Sequence, residues 1–262
     1  MKRRSTTAVA LTVAGSDSGG GAGIQADLKT FRAHDVFGTS AITCITAQNP
    51  ARVSRVQPIE PPLVAEQMDR VFEAFPVSGA KTGMLYEAAT IEAVAHGFAR
   101  RKFAKLVVDP VMVASSGALL LKKSGVAALT SKLFPRAMVV TPNLAEAEAL
   151  GARTLRTLAD LRLAARMLAD KYEVPFLVKG GHLPGANCAV DVLFDGKRLY
   201  EYRVAIVPRI KTHGTGCTFS AAIAANLALG HGLAESITRA KRFVTAAIRD
   251  SIKVGRHLAL KI

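Results

Sequence analysis

Cys217 stands directly behind Gly214-Thr215-Gly216, at the opening of the apolar, alanine-rich stretch HGTGCTFSAAIAANLA. The stretch is apolar on nearly every side, which predicts a buried helix over 216–229. The first turn of a helix carries N–H groups with no intrahelical partner. Glycines at that point let those donors converge on an anion, helped by the helix dipole. Gly214, Thr215 and Gly216 therefore read as an anion site. Cys217 at such a terminus is expected to have a lowered pKa and some thiolate character. A small residue opening a packed helix would explain Cys217 alone, but not the glycines beside it.

Other residues of chemical interest fall at the ends of apolar runs. AGSDSGGGAGIQAD carries five glycines within nine residues, which permits close backbone approach to a ligand, although neither GxxxxGK[ST] nor GxGxxG is present. Asp27 follows inside a helical pattern, either as an exposed carboxylate or as a ligand group. Asp109 ends KLVVDP, and Pro110 biases it toward an extended backbone. A carboxylate there suits Mg²⁺ or phosphate chemistry; an ordinary turn residue fits nearly as well. In TPNLAEAEAL, a cap at Thr141 with Pro142 in the first helical position would set Asn143 and Glu146 on one face. They are then either oxygen ligands for Mg²⁺ or simple helix-start residues. Lys179 precedes a glycine pair in VKGGH and is either a phosphate neutraliser or merely exposed. Lys241 falls on the apolar stripe of Leu233, Ile237, Val244 and Ile248. It either snorkels to the rim or points at an anion.

The elements that must position these groups alternate. β-rich runs at 8–14, 39–48, 77–85, 105–112, 137–143 and 175–182 alternate with helical patterns at 23–35, 61–75, 87–101, 124–134 and 158–172. A hairpin signal at Asp195-Gly196 breaks the rhythm late in the chain, and the remainder reads as helices over 216–229 and 233–252. This order predicts an α/β fold, a mainly parallel sheet with helices on both faces and one late antiparallel hairpin. No linker, repeat or low-complexity tract interrupts it, so residues 1–262 are expected to form one domain. Ligands of such sheets bind outside the carboxyl ends of the strands, which is where Asp109, Asn143 and Lys179 fall.

Composition narrows the function classes. The 262 residues carry a formal charge of +15, from 35 basic and 20 acidic side chains. That balance suits an anionic ligand, but the basic residues are scattered rather than clustered, and there is no tryptophan. A nucleic-acid partner is not expected. The three cysteines are far apart, with no zinc spacing. MKRR followed by a short apolar run reads as the approach to a first strand rather than a signal peptide. No apolar run is long enough for a membrane span, and a cytoplasmic location is expected.

Taken in order, AGSDSGGGAGIQADLKTF, ITAQN, KTGML, VVDPVM, TPNLAEAEAL, VKGGH and HGTGCTFSAAIAANLA resemble the ribokinase superfamily. Within it they resemble the hydroxymethylpyrimidine/phosphomethylpyrimidine kinases of thiamine biosynthesis, over about residues 8–250. The resemblance implies a three-layer αβα ribokinase-like fold and transfer of the ATP γ-phosphate to a pyrimidine alcohol and then to its monophosphate. It also implies a homodimer binding a small pyrimidine and ATP. By the same resemblance Gln48 and Asp27 hydrogen-bond the aminopyrimidine, and Met84 and Val111 line its ring. Gly214–Gly216 form the anion hole, with Cys217 at the position of the base. Asp109, Asn143 and Glu146 manage Mg²⁺, and Lys179 and Lys241 serve the nucleotide. Cysteine at 217, where sugar kinases of the superfamily carry aspartate, points to the pyrimidine and pyridoxal branches. A pyridoxal or pyridoxine kinase is the nearest alternative, and a catalytically silent pyrimidine-binding module is another.

Overall fold

The first strand, β1 (Val9–Asp17), is apolar and buried along almost its whole length, and that places it inside a sheet rather than at an edge. The computed structural model describes residues 7–112, 120–181, 183, 188–208 and 213–262; Lys2–Arg4 and His182 of VKGGH lie outside them. After β1 come α1 (Gly23–Ala33), β2 (Phe37–Asn49), β3 (Arg52–Pro58), α2 (Pro61–Ala74), β4 (Val77–Thr82), α3 (Ala88–Arg100) and β5 (Leu106–Val108). The chain continues through α4 (Lys123–Ala128), β6 (Val139–Val140), α5 (Leu144–Ala149), α6 (Leu158–Tyr172) and β7 (Phe176–Gly180). It ends in β8 (Cys188–Phe194), β9 (Leu199–Ala205), α7 (Thr215–Ala228), α8 (Leu233–Arg249) and a small hairpin, β10 (Ile252–Val254) with β11 (His257–Ala259).

The strands order as β3-β2-β1-β4-β5-β6-β7-β8-β9. Pairing is parallel from β2 across to β7 and antiparallel at both margins, β2 with β3, β7 with β8 and β8 with β9. Alternate residues of each strand feed two cores. Leu11, Val13, Ala80 and Val178 pack toward α2–α6, while Ala10, Val107 and Leu177 pack toward α1, α7 and α8. This is the expected αβα sandwich. The chain leaves β1 toward β2 on one side and returns to β4 on the other, which makes a topological switch point beside β1. The crevice outside the ends of β1 and β4 is thus where the fold opens for a ligand.

Three local expectations are corrected. Arg52–Pro58 (RVSRVQP) forms β3, which periodicity missed because an edge strand open to solvent has no apolar face to display. Its turn is fixed by Asn49, whose Oδ1 accepts the N–H groups of Ala51 and Arg52. The helix predicted over 124–134 is α-helical only to Ala128, then widens to a π turn and tightens to a 3₁₀ turn at Pro135, where the ring removes a backbone donor. The last helix stops at Arg249 rather than 252, and Ile252 opens the hairpin.

Candidate active site

The glycine-rich loop after β1 is organised by its own carboxylate. Asp17 Oδ1 accepts the Gly19 N–H at 2.8 Å, and Oδ2 accepts those of Gly21 and Ala22 at 3.2 and 2.9 Å. His213 Nε2 lies 3.4 Å from the same Oδ2, and Gln48 Nε2 lies 3.1 Å from His213 Nε2. One polar cluster therefore ties β1, the end of β2 and the approach to α7 together. Burial pushes the Asp17 carboxyl up, but the hydrogen bonds from His213, Gly19 and Ala22 outweigh it and hold it below the ordinary value. Asp17→Ala strands those N–H groups and is expected to cost about 1–3 kcal/mol at neutral pH. Because the folded-state pKa is depressed, the contribution is present above the ordinary carboxylate value and lost as pH falls through the depressed one. Melting curves from neutral to acid pH should show the gap between wild type and variant closing below about pH 4.

α7 opens on Gly214, which adopts a left-handed conformation (φ 84°). A Cβ there would lie 1.7 Å from the Gly21 carbonyl oxygen, so the helix start and the glycine-rich loop touch backbone to backbone. Thr218 N–H donates to Gly214 O and closes the first turn. Gly216 brings that turn against Lys179 and Asp109: a Cβ at 216 would sit 3.6 Å from Lys179 Nζ and 3.9 Å from Asp109 Oδ2. Lys179 Nζ donates to Asp109 Oδ1 at 3.0 Å, and Ser220 Oγ donates to Asp109 Oδ2 at 3.1 Å. Burial would neutralise Lys179, but the charges of Asp109 and Glu146 outweigh it and keep the ammonium protonated. A helix N-terminus, a half-buried ammonium and a carboxylate thus converge at the ends of β5, β7 and the start of α7. That arrangement can hold a phosphoryl group and offset its charge.

Cys217 belongs to the same turn, but its thiol is corrected in the opposite sense from expectation. Burial, the largest influence, pushes it up to about 11; Lys81 and the Gly23 N–H pull it down, while Asp27 and Asp109 push it up further. Desolvation and two carboxylates outweigh the helix terminus, so the resting group is a thiol.

Asp27 is corrected as well. It is not an exposed carboxylate: it is fully buried, with Lys81 Nζ 3.1 and 3.0 Å from its two oxygens and Thr12 Oγ1 donating at 2.6 Å. Lys241 is paired as well. Its Nζ lies 2.6 Å from Asp191 Oδ2, with both side chains buried.

Asn143, not Thr141, caps α5. Its Oδ1 accepts the Glu146 N–H, and Glu146 Oε2 accepts the Asn143 N–H, a reciprocal capping box. Glu146 Oε1 also accepts from Met112 N–H, and burial pushes its carboxyl up. The Asn143 oxygen is therefore engaged in the cap. Both Glu146 oxygens also accept backbone N–H groups, so Asp109 and Glu146 can serve a cation through their remaining lone pairs or through its waters. This set fits Mg²⁺, which keeps several waters and takes one or two carboxylates together with substrate phosphates. Among the described residues no group of three or more His, Cys, Asp or Glu side chains could enclose a metal alone.

Met84 and Val111 meet in a small apolar cluster separate from the two cores, with Cys44, Leu120, Val56 and Tyr86. Val111 has φ 43° and Tyr86 φ 71°. A β-branched residue at positive φ is strained by about 1–3 kcal/mol, and such strain concentrates where a wall must be aimed. Gln48 is half-buried beside the loop it shares with His213. Of the sequence-predicted residues, Gly216, Lys179 and Asp109 meet at one junction, Gln48 joins the Asp17–His213 cluster, Met84 and Val111 share the small apolar cluster, and Asp27 and Lys241 are paired with Lys81 and Asp191.

Three contributors were not picked out from sequence: Lys81, Asp191 and His213. Lys81 had a legible signal, a charge inside the otherwise uncharged strand VSGAKT, since a buried charge must find a partner.

A sequence profile of the family described as phosphomethylpyrimidine kinase matches residues 17–260. A hydroxymethylpyrimidine/phosphomethylpyrimidine kinase of Synechococcus elongatus is 46% identical over 248 residues, covering 95% of this chain and 94% of that protein. A thiamine biosynthesis bifunctional protein of Geobacter sulfurreducens is 49% identical over 249 residues. That match covers 94% of this chain, which spans only 50% of the bifunctional protein's length. Among solved structures, an ADP complex of Bacillus subtilis pyridoxal kinase superposes with a TM-score of 0.89 at 37% identity, covering 98% of this chain and 97% of that one.

Proposed function

The chain belongs to the phosphomethylpyrimidine kinase family, and from that premise we propose that it transfers the γ-phosphoryl group of ATP to 4-amino-5-hydroxymethyl-2-methylpyrimidine and then to its monophosphate. The observation that carries this reading is the meeting of the α7 start with Lys179 and Asp109. Phosphoryl transfer asks a protein mainly for positioning and charge stabilisation, and this junction offers both. Gly214–Gly216 hold the transferred phosphoryl, Lys179 offsets its charge, and Cys217 stands beside the acceptor hydroxyl. Met84 and Val111 flank the ring, and Gln48 reads its polar edge. Mg²⁺ belongs to the reading: Asp109 and Glu146 would hold it through its waters, and it would add charge neutralisation at the phosphates. Lys241, in its ion pair with Asp191, acts on the nucleotide side only through the shape of α8 and β8. The reading includes a homodimer in the cytoplasm; light scattering of the purified protein tests the first.

The decisive assay is phosphorylation by purified protein with Mg-ATP. Product is expected from both the pyrimidine alcohol and its monophosphate, and no product from either would overturn the proposal. The likeness to a pyridoxal kinase structure favours one second reading. The same assay with pyridoxal separates the two: a higher kcat/KM for the pyrimidine alcohol supports the first, and the reverse order supports the second.

A further inference from the structure

His213 immediately precedes Gly214, yet its ring serves the other half of the site. The ring lies against the glycine-rich loop, where a Cβ at Gly21 would come 3.2 Å from its Cδ2. Its Nε2 stands between two groups, Asp17 Oδ2 at 3.4 Å and Gln48 Nε2 at 3.1 Å. Asp17 is tied into its own loop by the N–H groups of Gly19, Gly21 and Ala22, so it forms a fixed wall for the imidazole. Gln48 is held differently. Ser18 pins its main chain to the same loop: Ser18 Oγ donates to the Gln48 carbonyl and accepts the Gln48 N–H, both at 2.8 Å. Among the described residues, Thr46 and His213 reach the Gln48 side chain. Thr46 Oγ1 lies 3.3 Å from Oε1, but a hydroxyl has one proton, and the nearer Ser16 carbonyl, at 2.8 Å, takes it. His213 is therefore the principal anchor of the Gln48 amide.

A ring nitrogen can meet an amide in two ways. Bare, it accepts from the Gln48 NH₂; carrying a proton, it donates to the amide oxygen once the amide turns over. The tautomer of His213 thereby sets which end of the amide is left for a ligand. A primary amide anchored at one end still offers an N–H and an oxygen lone pair. These complement the edge of an aminopyrimidine, where a ring nitrogen accepts beside an amino group that donates. An unanchored amide would have to be ordered by the substrate itself, and the lost side-chain freedom would weaken binding. We propose that His213 is a positioning residue for substrate binding that acts through Gln48: it presets the amide against the polar edge of the ring, while its neighbour Gly214 opens the phosphoryl site. The proposal deepens the function assigned above and rests on it, in that Gln48 is the group that reads the ring. His213 moves no proton in the transfer.

A double-mutant cycle on the full chain tests this. Initial rates with Mg-ATP and the pyrimidine alcohol are measured for wild type, His213→Leu, Gln48→Ala and the pair. His213→Leu is expected to raise KM for the alcohol about five- to tenfold, the scale of one lost hydrogen bond, with smaller changes in kcat and in KM for ATP. In the Gln48→Ala background the same substitution is expected to raise that KM by less than about twofold, because no amide is left to preset. His213→Gln carries an amide that reaches toward the place of Nε2 and can donate to Asp17 while accepting from Gln48. It is expected to recover most of the wild-type KM. Should melting curves show that His213→Leu does not fold, His213→Asn takes its place, a shorter amide that fills the seat without reaching Gln48. A histidine that served only the loop would lower kcat and melting temperature together, and by the same factor with or without Gln48. That additive outcome overturns the proposal, and so does a wild-type KM in the His213 variant. The substrate assignment fails separately. If the wild type turns over pyridoxal and not the pyrimidine, the cycle is run with pyridoxal: coupling there keeps the role of His213 and withdraws the pyrimidine, whereas additivity there, or turnover of neither alcohol, removes both.

Discussion

Gly214→Ala is expected to reduce kcat/KM by at least about 10²–10³-fold, the scale on which a preorganised group at developing charge is lost, and to lower the melting temperature. The obstacle is backbone. A Cβ at 214 would lie 1.7 Å from the Gly21 carbonyl oxygen and 2.8 Å from its carbon, and no rotamer change relieves a contact with a peptide. Alanine also disfavours φ 84°. Either Gly21 retreats and disturbs its N–H bond to Asp17, or the first turn of α7 moves and carries the Cys217 sulfur with it. Gly216→Ala is the informative contrast. Its Cβ meets Lys179 Nζ and Asp109 Oδ2 only at ordinary contact distance, so the fold should hold while the methyl occupies space meant for phosphoryl oxygens. Steady-state kinetics and melting curves on both variants separate the effects. Wild-type turnover and melting temperature in Gly214→Ala would remove the anion site from the argument.

The same residues show what could be read from one chain and what could not. Strand–helix alternation was legible because buried parallel strands are apolar on both faces and their helices repeat at 3.6 residues. The all-round apolarity of 218–228 marked α7 as buried, and every residue of that run is. Pairing was not legible. Asp27 finds Lys81 across 54 residues and Asp191 finds Lys241 across 50, and no local pattern encodes such distances. Without the partner, Asp27 reads as an ordinary helical carboxylate and Lys241 as a free cation.

The Cys217 thiol illustrates a different limit. The helix terminus that lowers a pKa is visible in HGTGC, whereas the desolvation that raises it depends on how closely α1 and β4 close over the sulfur. A loose transition state asks little of a base before the new bond is well formed, so a resting thiol is compatible with turnover. Asn143 misled for a simpler reason: the same Asn and Glu spacing makes a capping box and a pair of oxygen ligands.

Asp109→Asn carries the second large effect. Asparagine is nearly isosteric, can still accept from Lys179 through its oxygen and can donate to Ser220 Oγ through its amide, so both contacts survive in kind and the fold should hold. The charge does not survive. Lys179 would then answer to Glu146 alone, and Glu146 is already pushed toward its protonated form by burial. The loss of a hard anionic oxygen next to the α7 start is expected to cost about 10²–10³-fold in kcat and to raise the Mg²⁺ concentration needed for half-maximal rate. Glu146→Gln provides the calibration. It keeps an acceptor for the Asn143 or Met112 N–H but removes a charge that burial already disfavours, so its effect on kcat should be the smaller of the two. A Mg²⁺ titration of initial rates for both variants decides the matter. If Asp109→Asn left the Mg²⁺ dependence untouched while Glu146→Gln shifted it, the carboxylate that manages the ion would be the one inside the capping box, and Asp109 would be left as the counter-ion of Lys179.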